Sequence, residues 1–214
     1  MNSIIKLAFE ILIALLLLGT SIFMFIHYRR GEDVSSLTFA TASLALFAVL
    51  VVEISIVSIT GALFVPSQHT LRYLSWYIAF GYLLYAVGVF WSIFFSNKRL
   101  SVYMIPVIVF ISVLLGFGFI NEFTSWLPKF GESGLYVLIL TWVVLLTVSI
   151  SYFLHWVNNK HPFRIYMSIA FLLLTVSLIL HTVLPVSSFF WYVNHIIRLA
   201  GFSIIFFQIQ TGSA

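Results

Sequence analysis

The sequence predicts an all-α membrane protein, an antiparallel bundle of seven transmembrane helices with its N-terminus outside and its C-terminus in the cytoplasm. Three observations predict it: 62% hydrophobic residues against 7% charged, a mean hydropathy of +1.14, and apolar residues gathered into runs long enough to cross a bilayer. A soluble domain is roughly 45–50% apolar and about 25% charged, so a soluble fold of 214 residues has no way to hide this much oily surface. A span needs about 20 apolar residues, because the hydrocarbon core is roughly 30 Å thick and a helix rises about 1.5 Å per residue.

Breaks at charged or Pro/Gly/Asn clusters set the spans near 4–27, 36–62, 72–96, 101–121, 134–157, 163–184 and 187–209. The first has only Lys6 ahead of it, outruns the roughly 7–15 apolar residues of a secretion signal, and lacks a small-residue cleavage site before His27, so it is expected to be retained. The second follows a loop carrying Arg29 and Arg30. In the third, Gly81 and Gly88 share one face and invite a close neighbour, while Trp76 and Tyr77 stand near its outer end. Gly116 and Gly118 thin the fourth. The fifth ends in Tyr152, His155 and Trp156, rings suited to the headgroup level. His161-Pro162 opens the sixth, where the missing N–H of proline costs nothing, and a turn at Pro185 leads into the seventh. Every connection is short, so consecutive helices are antiparallel neighbours and residues 1–214 form a single domain.

Basic residues give the orientation, since short basic loops are held in the cytoplasm. Arg29, Arg30, Lys98, Arg99, Lys160 and Arg164 fall on one side and Lys6, Arg72 and Lys129 on the other. The net charge of +4 and pI near 9.4 are therefore a topology signal rather than a nucleic-acid footprint, and the expected home is the cell membrane. The absence of cysteine excludes disulfides, iron–sulfur clusters, thiolate zinc and cysteine nucleophiles.

An ionisable side chain at mid-bilayer costs about 2.5–3.5 kcal/mol or more, so each needs a partner, a cavity or a role. The candidates are Glu10, Glu53, His181, His195 and Arg198. From the outer end, Glu10 and His195 lie about two turns deep, Glu53 about two to three, His181 about one and Arg198 about three, so all fall in one half of the membrane. Asn194, His195 and Arg198 share a helical face. Arg198 is expected to pair with Glu53, with His181 and His195 alongside, because Lys6 stands four residues before Glu10 and can neutralise it locally. His27, His155 and His161 are expected to be interfacial.

The same residues admit several readings. One is a structural lock fixing helix rotation. Another is an outward-facing polar pocket, walled by Tyr73, Trp76, Tyr77, Trp191 and Tyr192, that binds a small ligand to Glu53, His181, Asn194, His195 and Arg198. A third is a haem or metal site using His181 and His195. A seven-span zinc hydrolase of the ceramidase and adiponectin-receptor type expects a second histidine four residues after His195, where Leu199 stands. A small membrane transporter is a further alternative; it expects helices broken at depth, while Pro106 lies near an inner end, Pro185 in a loop, and no Pro-Gln pair of the small seven-span carriers occurs.

The run Trp191-Tyr192-Val193-Asn194-His195-Ile196-Ile197-Arg198-Leu199-Ala200-Gly201-Phe202, with Tyr28-Arg29-Arg30-Gly31 in the first loop, resembles the membrane-associated sensor domains of bacterial and archaeal histidine kinases and cyclases. In those domains a last helix bearing a His and, three residues on, a basic residue leads into cytoplasmic signalling modules. His195 and Arg198 match that pattern. The resemblance implies a non-enzymatic, receptor-like domain in signal transduction. The sequence ends at Ala214, after Thr-Gly-Ser, without a kinase or cyclase module, so its output is expected to pass through a partner membrane subunit, a separate cytoplasmic module or a removed C-terminal part.

Overall fold

The computed structural model describes residues 3–31, 34–63, 68–94, 133–183 and 188–212. These residues form six helices: α1 (Ser3–Gly31), α2 (Val34–Leu63), α3 (Gln68–Phe94), α4 (Ser133–Asn159), α5 (Pro162–Val183) and α6 (Ser188–Gly212). They correspond to six of the seven expected spans. The expected span at 101–121, with Gly116 and Gly118, lies outside the described residues. Five of the six helices are long and apolar enough to cross a membrane, and α3 carries a shorter described apolar stretch, Ile78–Ile93.

Without water, a spanning segment must satisfy its polar groups internally. The hydroxyls of Thr38, Thr41, Thr141 and Thr175 accordingly donate to carbonyls one turn back, at 2.7–3.0 Å. Other hydroxyls tie helices together. Ser21 on α1 donates to the Ala40 carbonyl on α2 at 2.9 Å, and Ser149 and Ser168 exchange bonds between α4 and α5. α4 and α5 meet at a tight turn in which Lys160 adopts the left-handed region (φ 53°) and lays its ammonium over the Trp156 ring.

Around the bundle, α1 packs on α2, α2 on α3, α3 on α4, α4 on α5, α5 on α6, and α6 closes on α1. Six helices in a closed ring enclose a centre that only bulky side chains fill, and the largest fully buried residues are Tyr82, Tyr85, Phe171 and Phe202. Three of these rings continue a file from Phe39: Phe39 meets Tyr85 edge-on at 6.2 Å, Tyr85 meets Phe202 at 5.8 Å, and Phe202 meets Tyr82 at 6.5 Å. Small residues set the spacing at the perimeter. A Cβ on Gly81 would stand 2.8 Å from Val49, so α3 approaches α2 as the sequence leads one to expect; a Cβ on Gly19 would stand 2.6 Å from Phe206.

Exposure is inverted relative to a soluble protein. Leu15, Leu154 and Phe207 are each 57% exposed, while Glu10, Glu53, His195 and Arg198 are buried to 6% exposure or less. An oily exterior around charged groups is favourable only where the surroundings are themselves apolar. Together with the span lengths it makes the chain an integral membrane protein.

Candidate functional site

Glu10 on α1, His195 and Arg198 on α6 meet inside the ring. Nε2 of His195 lies 2.8 Å from Oε1 of Glu10, and a guanidinium nitrogen of Arg198 lies 3.8 Å from the same oxygen. With a cation beside it, the carboxylate is the acceptor and the imidazole N–H the donor. Nε of Arg198 donates to Ser177 on α5 at 3.4 Å, and the Ser177 hydroxyl in turn donates to the Asn194 side-chain oxygen at 2.5 Å. On its other side the guanidinium faces the Tyr82 ring of α3 at 5.2 Å, a cation–π contact. Glu53 on α2 is buried and lies within Coulombic range of Arg198 and Tyr82. Phe9 packs edge-on against the His195 ring. Five of the six described helices thus place a polar side chain in one buried cluster.

The ring order explains the convergence. Because α1 and α6 are neighbours, residues on their facing sides at equal depth must meet, and Glu10 and His195 each stand seven residues inside their helices, about 10 Å along the axis. Arg198 lies one turn deeper and reaches back along its own face.

Several expected members are where the sequence puts them: Asn194, His195, Arg198 and Glu53 are all buried at this end. The ion pair is drawn differently. From the sequence Arg198 is expected to meet Glu53, with Glu10 left to Lys6; in the structure Glu10 is the carboxylate beside His195 and Arg198, Glu53 lies within Coulombic range of Arg198, and the Lys6 side chain lies outside the described residues. The reason is lateral: Glu10 faces the neighbouring helix, a fact that intra-helical spacing does not carry. His181 sits exposed near the end of α5, whereas His195 is buried with its Nε2 committed to Glu10, so these two are not presented as a matched pair of axial ligands. Among the described residues no group of three or more His, Asp or Glu is placed to hold a metal ion. The side chains of Tyr73, Trp76, Tyr77 and Trp191, the expected pocket wall, lie outside the described residues, and Tyr192 is half-buried.

Two members were not found from sequence. Tyr82 carries no signal beyond its aromatic character next to Gly81, and Ser177 is one hydroxyl among many. A buried arginine needs more partners than one carboxylate supplies, which is the only hint that such groups must exist.

No protein-family model, curated protein or solved structure matches this chain. The functional reading therefore stands on the cluster itself.

Proposed function

We propose that the chain is a receptor-like, non-enzymatic sensory domain of the cell membrane, with seven spans, the N-terminus outside and the C-terminus in the cytoplasm. A small ligand arrives at the outer end beside Tyr73, Tyr77 and Trp191, and the cluster of Glu10, Glu53, His195 and Arg198 converts its presence into helix movement. One observation carries this reading: a single buried network touches five helices, so a change in charge or hydrogen bonding at one atom alters the balance of forces on all five. Two carboxylates face one guanidinium and one imidazole, so a charged or hydrogen-bonding group arriving beside them alters the balance of the whole cluster. A ligand or proton shifts such a bundle only by favouring one of two arrangements. The opposite helix ends then report the change to a cytoplasmic module or a partner subunit.

The chain lacks cysteine, which makes paired labelling direct. Spin labels at Arg30→Cys and Gln210→Cys report the distance between α1 and α6 at the end away from the cluster. The reading expects His195→Gln to redistribute that distance in lipid discs; a distribution identical to the parent would count against it. Single cysteines near Gln68 are expected to react with an external impermeant thiol reagent and those near Lys98 are not, and the reverse pattern inverts the orientation. An absorption spectrum of the purified chain with a Soret band would replace this reading by the haem alternative built on His181 and His195.

A further inference from the structure

At the end opposite the cluster, the described residues leave a cavity of about 530 Å3 between the C-terminal halves of α1, α3, α4 and α6 and the first turns of α2 and α5. That is within the roughly 300–1,000 Å3 of small-molecule sites. Its rim carries one fixed cation, Arg164, and two imidazoles, His27 and His155, with the hydroxyls of Ser35, Ser36 and Ser92 between them. Its floor is oily and buried, formed by Phe39, Met167 and Ile209. The guanidinium of Arg164 is held in place by donating to the His155 carbonyl at 3.2 Å. Among the described residues the only carboxylates are Glu10 and Glu53, both in the cluster, so no described carboxylate stands against Arg164, His27 or His155; Glu32 and Asp33 lie outside the described residues. Ser35 and Ser36 occupy the first turn of α2 and Phe163 and Arg164 that of α5, so two helix N-termini add positive potential to the same mouth.

We propose that this cavity is a binding site for an anionic phospholipid, the phosphate lying between Arg164, His27 and His155 and the start of the acyl region on Phe39, Met167 and Ile209. A soluble phosphate would use the rim and leave the floor empty. A zwitterionic lipid would bring a second cation to a mouth already cationic. Only an anionic amphiphile satisfies both surfaces, and the membrane supplies it at the depth where basic pockets between spans take lipid headgroups. The inference is independent of the sensory reading.

The test titrates phosphatidylglycerol, phosphatidylcholine or inorganic phosphate into the full chain in detergent, following melting temperature and, by native mass spectrometry, the lipid retained. Phosphatidylglycerol is expected to raise the melting temperature by about 5 °C at saturation and to leave one lipid bound. Phosphatidylcholine and phosphate are expected to do neither. Arg164→Gln should weaken the response at least tenfold, whereas Arg30→Gln, a basic residue of the same end outside the cavity, should retain it. Should Arg164→Gln fold poorly, Ser92→Phe, which fills the cavity, and the double change His27→Gln with His155→Gln are expected to lose the lipid response as well. Equal effects of the two lipids, equal losses in Arg164→Gln and Arg30→Gln, or a full response to phosphate alone would each overturn the proposal.

Discussion

The two ends of the bundle handle charge in opposite ways. At the cluster, acid and base are packed against each other without exposure, each the nearest remedy for the other's lost hydration. At the cavity, Arg164, His27 and His155 stand around open space with no described carboxylate opposite. The contrast teaches that a bundle can commit its described acidic residues, Glu10 and Glu53, to internal cohesion while Arg164 at the other end faces open space. Charge inside is a stability element; charge at the mouth is an invitation.

Substitutions at the two ends should separate accordingly. Arg198→Ala strands buried carboxylates and is expected to lower unfolding free energy by about 3–5 kcal/mol, while Arg30→Ala, exposed at the other end, should stay within about 0.5 kcal/mol. Equal losses in denaturant titrations of the two would erase the distinction. Next in size, Glu10→Gln and His195→Gln should be coupled: a double-mutant cycle is expected to return an interaction of about 1–3 kcal/mol, and additive losses would mean the 2.8 Å contact carries no energy. Gly81→Ala tests the packing between the ends. Its new Cβ would press on Val49, so a loss of about 1–3 kcal/mol is expected, readable as a lower melting temperature. Smallest is Tyr85→Phe. The Tyr85 hydroxyl is buried with no hydrogen-bond partner among the described residues, so removing it is expected to be neutral or to stabilise by up to about 1 kcal/mol; a clear loss would reveal a bonded partner.

How far the sequence carries depends on which physical effect is being read. Spans are legible because hydration penalties act on runs of some twenty residues at once, and six of the seven predicted runs coincide with helices to within a few residues. Depth is legible too: their distances from the helix ends, about two to three turns, place Glu10, Glu53, Asn194, His195 and Arg198 in the same half of the bundle. Azimuth is not. Whether Glu10 faces Lys6, lipid or α6 depends on helix order around the ring, and hydropathy says nothing about it when the helices are apolar on nearly every side. For the same reason His27, His155 and Arg164, each ordinary at a helix end, give no sign in sequence that the helix order brings them around one cavity. Tyr82 and Ser177 were missed because their role is defined only by what Arg198 lacks.

The contact between Glu10 and His195 joins residues 185 positions apart, and that separation bears on how the protein is made. Glu10 belongs to the first of these helices to be made and His195 to the last, so Glu10 is without the His195 imidazole until that final helix has been synthesised. A chain cut short before His195 would lack the imidazole that stands 2.8 Å from Glu10, so the first and last of these helices can be joined at this point only in the finished protein.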